Sequence, residues 1–300
     1  MRFPPKIIHA RLVAAFPLLA YGFVGPVSAQ DKDSPAATAP PAQLDLKAFP
    51  GAMVDKVVVP VPAEIFGVLD KLDEPNWAEQ VRLPDDSRPE SDRLRLALIF
   101  GATVGEGFIA VEAEQTRPIQ DIGRRVLRLA DALGLQNAVL PHCQSIIDSA
   151  GDHDWRKVRE ELDRTQQTVR ESMEKLNDND LATLVSLGGW LRGTQTLTEL
   201  IAGSYNHDKA ELLNQPDLVS HFRTSLGEMR PKVREHSDIH TIENGLGEIL
   251  EALSEAEGDD GGDSGGVVSA STVKRIGETC DQLLGRFYFE PQTGESGDNL

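Results

Sequence analysis

The chain has 300 residues, 40% of them hydrophobic but only 5% aromatic, with 30 Lys+Arg against 48 Asp+Glu and a formal charge of −18. Such a surface repels phosphate backbones, because protein affinity for nucleic acid rests on Lys and Arg displacing counterions, so no nucleic-acid partner is expected. Two cysteines, Cys143 and Cys280, exclude a disulfide-dense scaffold and every multi-cysteine metal or haem-attachment motif.

The first 29 residues carry the parts of a secretory signal peptide. Arg2, Lys6 and Arg11 give a positive flank, Leu12 to Gly25 is almost wholly apolar, and Val27-Ser28-Ala29 supplies a small-residue end before Gln30. The apolar stretch falls short of the roughly 20 residues that span a bilayer comfortably. Cleavage after Ala29 removes three basic residues and no acid, leaving 27 Lys+Arg against 48 Asp+Glu, a charge of −21. The mature protein is thus expected to be exported, periplasmic or secreted, with no transmembrane segment. Residues 30–49 are Pro- and Ala-rich with little to bury, which reads as a disordered tether.

Residues 50–256 read as a helical bundle. Val57 to Val61 is extended, since Pro60 and Pro62 bias their predecessors away from helix, and a helix is expected from Pro62 with Ile65, Val68 and Leu69 on one side. From Asp92 onward, Leu94, Leu98, Gly101, Gly105 and Phe108 recur at steps of four and three, and Ile99, Ala102 and Ile109 make a second side apolar. A helix apolar nearly all round belongs at the centre of a bundle.

The next helix has Pro118 near its first turn, buries Ile122, Val126, Leu129 and Leu133, and stops at Gly134. Another carries Val139, Cys143 and Ile146 and ends near Gly151. Trp155, Val158, Leu162, Val169, Met173 and Leu176 line one stripe of a long amphipathic helix. After the turn-and-cap cluster Asn177-Asp178-Asn179-Asp180, a second near-uniformly apolar helix runs from Leu181 to Ile201 and includes Gly188, Gly189 and Gly193. Glycine inside a helix costs up to about 1 kcal/mol against alanine. These glycine-bearing central helices therefore read as closely crossing neighbours.

Shorter helices are expected near Lys209–Leu213 and Pro216–Met229, then a long one from about Val233 to Leu253. Residues 257–266 form an acidic Gly-rich loop. A last helix in 267–290 packs back on the bundle through Val273, Ile276, Cys280, Leu284 and Phe287, and 291–300 reads as a disordered tail.

Motifs that carry chemistry are sparse. Reading the acidic loop from Asp259 as a helix–loop–helix calcium site puts Ser264 at the required glycine and Ala270 at the required glutamate. None of the seven histidines follows a glutamate by three residues, which removes the di-metal carboxylate bundles. There is no His-Glu-x-x-His or Gly-x-Ser-x-Gly. Pro141-His142-Cys143 sets an imidazole beside a thiol, but adjacent helical residues do not face each other, and His142 is read as a surface residue.

Two constellations remain. Glu106 lies between Gly105 and Gly107 in the most apolar helix, and a buried carboxylate needs a partner. Arg124 and Arg192 are the arginines considered for it. Glu106, Trp190 and Arg192 are the candidate ligand-binding residues of an inter-helix pocket. His236, His240 and Glu243 share one flank of the expected Val233–Leu253 helix, where imidazoles at i and i+4 chelate a divalent ion, so they are the candidate metal ligands. Cys143 and Cys280 each occupy an apolar stripe and are read as free buried thiols.

The expectation is an all-α multi-helix bundle without a cofactor. It is read as a non-enzymatic binding or scaffolding protein of the cell envelope, with an envelope protein as partner. The alternatives are a small-molecule carrier or sensor at Glu106 and Trp190, or a metal-dependent enzyme using His236, His240 and Glu243.

Overall fold

A computed structural model of the chain describes residues 53–54, 57–58, 67, 69–72, 75–84, 90–176, 178–258 and 268–289. The signal segment, the tether, the start expected at Pro62, the acidic loop beyond Gly258 and the tail 291–300 lie outside the described residues.

Among the described residues the fold is all-α apart from a two-residue antiparallel pairing of β1 (Met53–Val54) with β2 (Val57–Val58), in the register Met53 to Val58 and Val54 to Val57. A 3-10 turn at Asp70–Leu72 leads to α1 (Trp77–Gln80), a single turn. The bundle follows as α2 (Arg93–Glu112), α3 (Thr116–Leu133), α4 (Gln136–Gly151), α5 (Trp155–Leu176) and α6 (Asn179–Gly203). Then come α7 (His207–Ala210), α8 (Pro216–Gly227), α9 (Pro231–Arg234), α10 (Ser237–Gly258) and α11 (Ala270–Leu284), with a π-helical turn at Gly285–Phe289.

The ends of these helices follow from local chemistry. Asp92 caps α2, its Oδ1 accepting from the backbone N–H of Leu94 at 2.8 Å and of Arg95 at 3.0 Å. Helix α3 stops at Gly134, whose φ of +80° is the left-handed conformation that favours glycine. The cluster before α6 behaves differently from its sequence reading. Asp178 makes no side-chain cap bond, and its carboxylate instead accepts from Arg230 at 2.8 Å.

The long helix expected from Val233 is broken. Helix α9 ends at Arg234, α10 begins at Ser237, and His236 stands at the boundary, its carbonyl accepting from the N–H of His240 at 3.2 Å. At the other end α10 continues through Gly258, into the stretch read as loop.

Helices α2 and α6 form the centre. Leu98 and Ala102 of α2 face Gly188, and Gly105 faces Gly189 and Arg192. Contacts advance together along both helices, so the two run parallel. A Cβ on Gly101 would collide with the Val185 carbonyl, and one on Gly188 with the Leu98 carbonyl. From this pair α3, α4 and α5 pack in series on one flank, and α11, α10 and α8 on the other.

By length and composition α2 is apolar enough to cross a membrane, but 83% of that stretch is buried inside the bundle, as a core helix requires. Cys143 and Cys280 are both buried and unbridged. Burial pushes the Cys143 thiol up to about 11 and raises that of Cys280 further.

Candidate functional site

Glu106 and Arg192 meet at the α2–α6 crossing, one turn beyond the facing glycines. Arg192 Nε donates to Glu106 Oε2 at 2.6 Å, and both side chains are 0% exposed. Of the two arginines considered for Glu106, Arg192 is the partner, while Arg124 pairs with Asp121 on the surface of α3. Two unit charges this deep are costly unless every remaining donor and acceptor is used. Here Arg192 Nη1 donates to Gln195 Oε1 at 3.0 Å and to the Thr196 hydroxyl, and Nη2 donates to the Gln80 carbonyl at 2.5 Å. Glu106 Oε1 accepts from the backbone N–H of Arg82. Gln195 carries the network on to α11, donating from Nε2 to Asp281 Oδ1 at 2.5 Å.

The C-terminal turn closes over the pair. The Phe289 ring lies 5.7 Å from the Arg192 guanidinium carbon, and the Tyr288 ring 5.5 Å from that of Arg125, distances at which cation–π attraction operates. Arg125 Nη1 in turn donates to the Pro84 carbonyl at 2.6 Å. The Tyr288 hydroxyl is raised well above the usual phenol range. Burial is the chief cause and the Glu106 charge adds to it, while Arg125 and Arg192 oppose it.

Trp190 takes no part in this cluster. Two residues before Arg192 on α6, it points to another side of the helix, where its Nε1 donates to Gln215 Oε1 at 3.3 Å and its ring lies 5.6 Å from Phe222. The structure thus joins Glu106 and Arg192 but does not bring Trp190 to them.

The histidine constellation also does not assemble. At the α9–α10 boundary His236 turns to carboxylates, with Nε2 3.4 Å from Asp92 and Nδ1 accepting from the Asp238 backbone N–H at 3.2 Å. His240 lies a turn later on α10 and is exposed. Among the described residues no group of three or more His, Cys, Asp or Glu is placed to hold a metal ion. Behind His236, buried Asp238 accepts from Arg95 Nε at 2.6 Å. Burial alone would raise this carboxyl, but Arg95 holds it below its ordinary value.

His142 is not a surface residue. It fills the α4–α5 seam, with Nδ1 2.6 Å from Glu161 Oε1 and Nε2 2.9 Å from the Thr168 hydroxyl. Burial raises the Glu161 carboxyl, yet hydrogen bonds from His142 and Arg164 overcome this and hold it below its ordinary value. Neighbours on the next helix occupy this imidazole, not Cys143.

Glu112 was invisible to motif reading. It ends α2, at the negative end of the helix dipole, with Arg159 Nη2 2.5 Å from its Oε1 and Asp70 sharing the same arginine at 3.5 Å. Burial pushes its carboxyl from 4.5 up to about 7; Arg159 opposes the shift, and Asp70 and Glu114 add to it. A carboxyl whose folded pKa exceeds its unfolded one takes up protons on folding, so its contribution to stability falls as pH rises from about 4.5 to 7. Glu112→Gln should therefore stabilise the protein at pH 8, by about 1 to 2 kcal/mol after allowance for solvent screening. The gain should shrink at pH 5. Urea unfolding at the two pH values measures it, and an equal effect at both would contradict the assignment.

The chain was compared with protein-family models, with curated proteins and with solved structures, and none of the three matches it.

Proposed function

We propose that the mature chain, beginning at Gln30, is an exported, non-enzymatic binding or scaffolding protein of the cell envelope. One observation carries the reading. The interior charges that would serve a ligand are spent on the protein itself: both Glu106 oxygens and all three Arg192 nitrogens have protein partners. A carrier or enzyme keeps convergent polar groups open to its ligand. Here they tie α2 and α6 to the chain on either side. The mature charge of −21 favours partners with a cationic surface.

The test is cross-linking of mature protein in its own envelope fraction, together with native mass spectrometry of the purified chain. A protein adduct that saturates and is competed away by unlabelled mature protein is the expected result. A stoichiometric small molecule or metal travelling with the chain, with no saturable protein adduct, would replace this reading by the carrier or the metal enzyme.

A further inference from the structure

The 3-10 turn Asp70–Leu72 is held on the bundle at both ends. Leu69 and Leu72 are each 4% exposed, and Lys209 Nζ of α7 donates to the Leu72 carbonyl at 3.1 Å. At the other end the tie is ionic, with Asp70 Oδ1 3.5 Å from Arg159 Nη1 of α5. That pair is long, and its side chains are 58% and 37% exposed. An ion pair so placed contributes little by itself, so a neighbouring charge can tip it.

The neighbouring charge is Glu112, the last residue of α2. It sits 2.5 Å from the other arm of the same guanidinium, Arg159 Nη2, with its side chain 7% exposed. Arg159 thus joins three elements: α5, the end of α2 and the turn. Burial is the chief cause of the raised Glu112 carboxyl. Among the described residues the charges acting on it are Arg159, which opposes the rise, and Asp70 and Glu114, which add to it. Ionised Glu112 draws the guanidinium to itself and repels Asp70. Neutral Glu112 removes that repulsion and leaves the positive charge to Asp70. Both effects act on the turn in the same direction.

We propose that Glu112, Arg159 and Asp70 form a proton-sensitive latch: protonated Glu112 leaves Arg159 to hold the Asp70–Leu72 turn firmly on the bundle, and ionised Glu112 slackens that hold. Linkage makes the coupling reciprocal. The Asp70 charge favours the protonated form of Glu112, so protonation of Glu112 must favour the seated Asp70. With the Glu112 carboxyl pushed up to about 7, the hold is full in acid and weakens as pH rises through that value. An exported chain meets the pH of its surroundings directly, and the latch works whatever partner the chain binds.

The test is amide hydrogen exchange of the full mature chain at pH 5 and pH 8, expressed as protection factors so that the intrinsic pH dependence of exchange cancels. A short surface turn exchanges by local opening, well before the core. The expected result is protection at residues 69–72 at least about threefold greater at pH 5 than at pH 8, roughly the worth of one exposed ion pair. Glu112→Gln should keep the pH 5 level at both values, because its side chain stays neutral. Asp70→Asn, at an exposed position, keeps Glu112 but removes the group the latch acts on, and should lose the pH dependence at the turn. Equal protection of the wild-type turn at both pH values overturns the proposal. So does a pH dependence that survives in Glu112→Gln. If it survives in Asp70→Asn, Glu112 acts through overall stability alone and the latch is wrong.

Discussion

Arg192→Met is expected to lower the unfolding free energy by about 3 to 5 kcal/mol, the range for stranding one charge of a buried pair. Glu106 would keep the Arg82 N–H and lose the guanidinium, with its side chain 0% exposed to bulk solvent. Glu106→Leu should cost a similar amount, since Arg192 would keep Gln80, Gln195 and Thr196 but lose its counter-charge. The double variant Glu106→Leu/Arg192→Met should cost far less than the sum, because an apolar pair of similar volume removes both uncompensated charges together. Urea unfolding of the four proteins gives the coupling free energy. Additive effects would mean that the two side chains do not act as one unit, and the account of the bundle centre would fall with that result.

That pair was half legible in the sequence. A glutamate between two glycines on an otherwise apolar helix announces a buried carboxylate whatever its partner, and Arg192 lies on the second near-uniformly apolar helix read from the sequence, Leu181 to Ile201. Trp190 shares that helix and misled, because membership of a helix does not fix a face: two residues along the helix turn a side chain well away from its neighbour. The apolar stripe Ile122, Val126, Leu129 and Leu133 is buried throughout, since a period of 3.6 residues encodes a face directly. His236 failed for the opposite reason. The apolar rhythm from Val233 to Ile239 runs on past the end of α9 at Arg234, so the pattern hides that His236 stands just ahead of α10, where its ring turns to Asp92 and Asp238.

What stayed hidden is contact without a sequence signature. The hold on residues 80–84 uses main-chain atoms, which every residue has. Glu112 is raised chiefly by burial, with Asp70 adding to it, and Asp70 is remote in sequence and shares Arg159 with it only after folding. His142 was judged against Cys143, its neighbour in sequence, whereas its partners Glu161 and Thr168 lie on the following helix.

Gly101→Ala is expected to destabilise the bundle by about 3 kcal/mol, the upper end for overpacking a core. Its Cβ would meet the Val185 carbonyl and stand 3.0 Å from the Gly189 backbone nitrogen. Both obstacles are main chain, so no rotamer change can make room and α2 must lift from α6. The strain reaches the charge pair, since a Cβ on Gly105, one turn along, would stand only 3.3 Å from the Arg192 Cβ, beside the bond to Glu106. Gly188→Ala strikes the Leu98 carbonyl from the other side and should cost a comparable amount. Gly193→Ala is the control on the same helix. A Cβ there meets nothing within 4 Å, so only helix propensity acts, and the substitution should stabilise by about 0.5 to 1 kcal/mol. Urea unfolding followed by helical circular dichroism should give opposite signs for Gly101→Ala and Gly193→Ala. If both stabilise, the two central helices do not approach through their glycines, and the crossing that positions Glu106 against Arg192 is wrong.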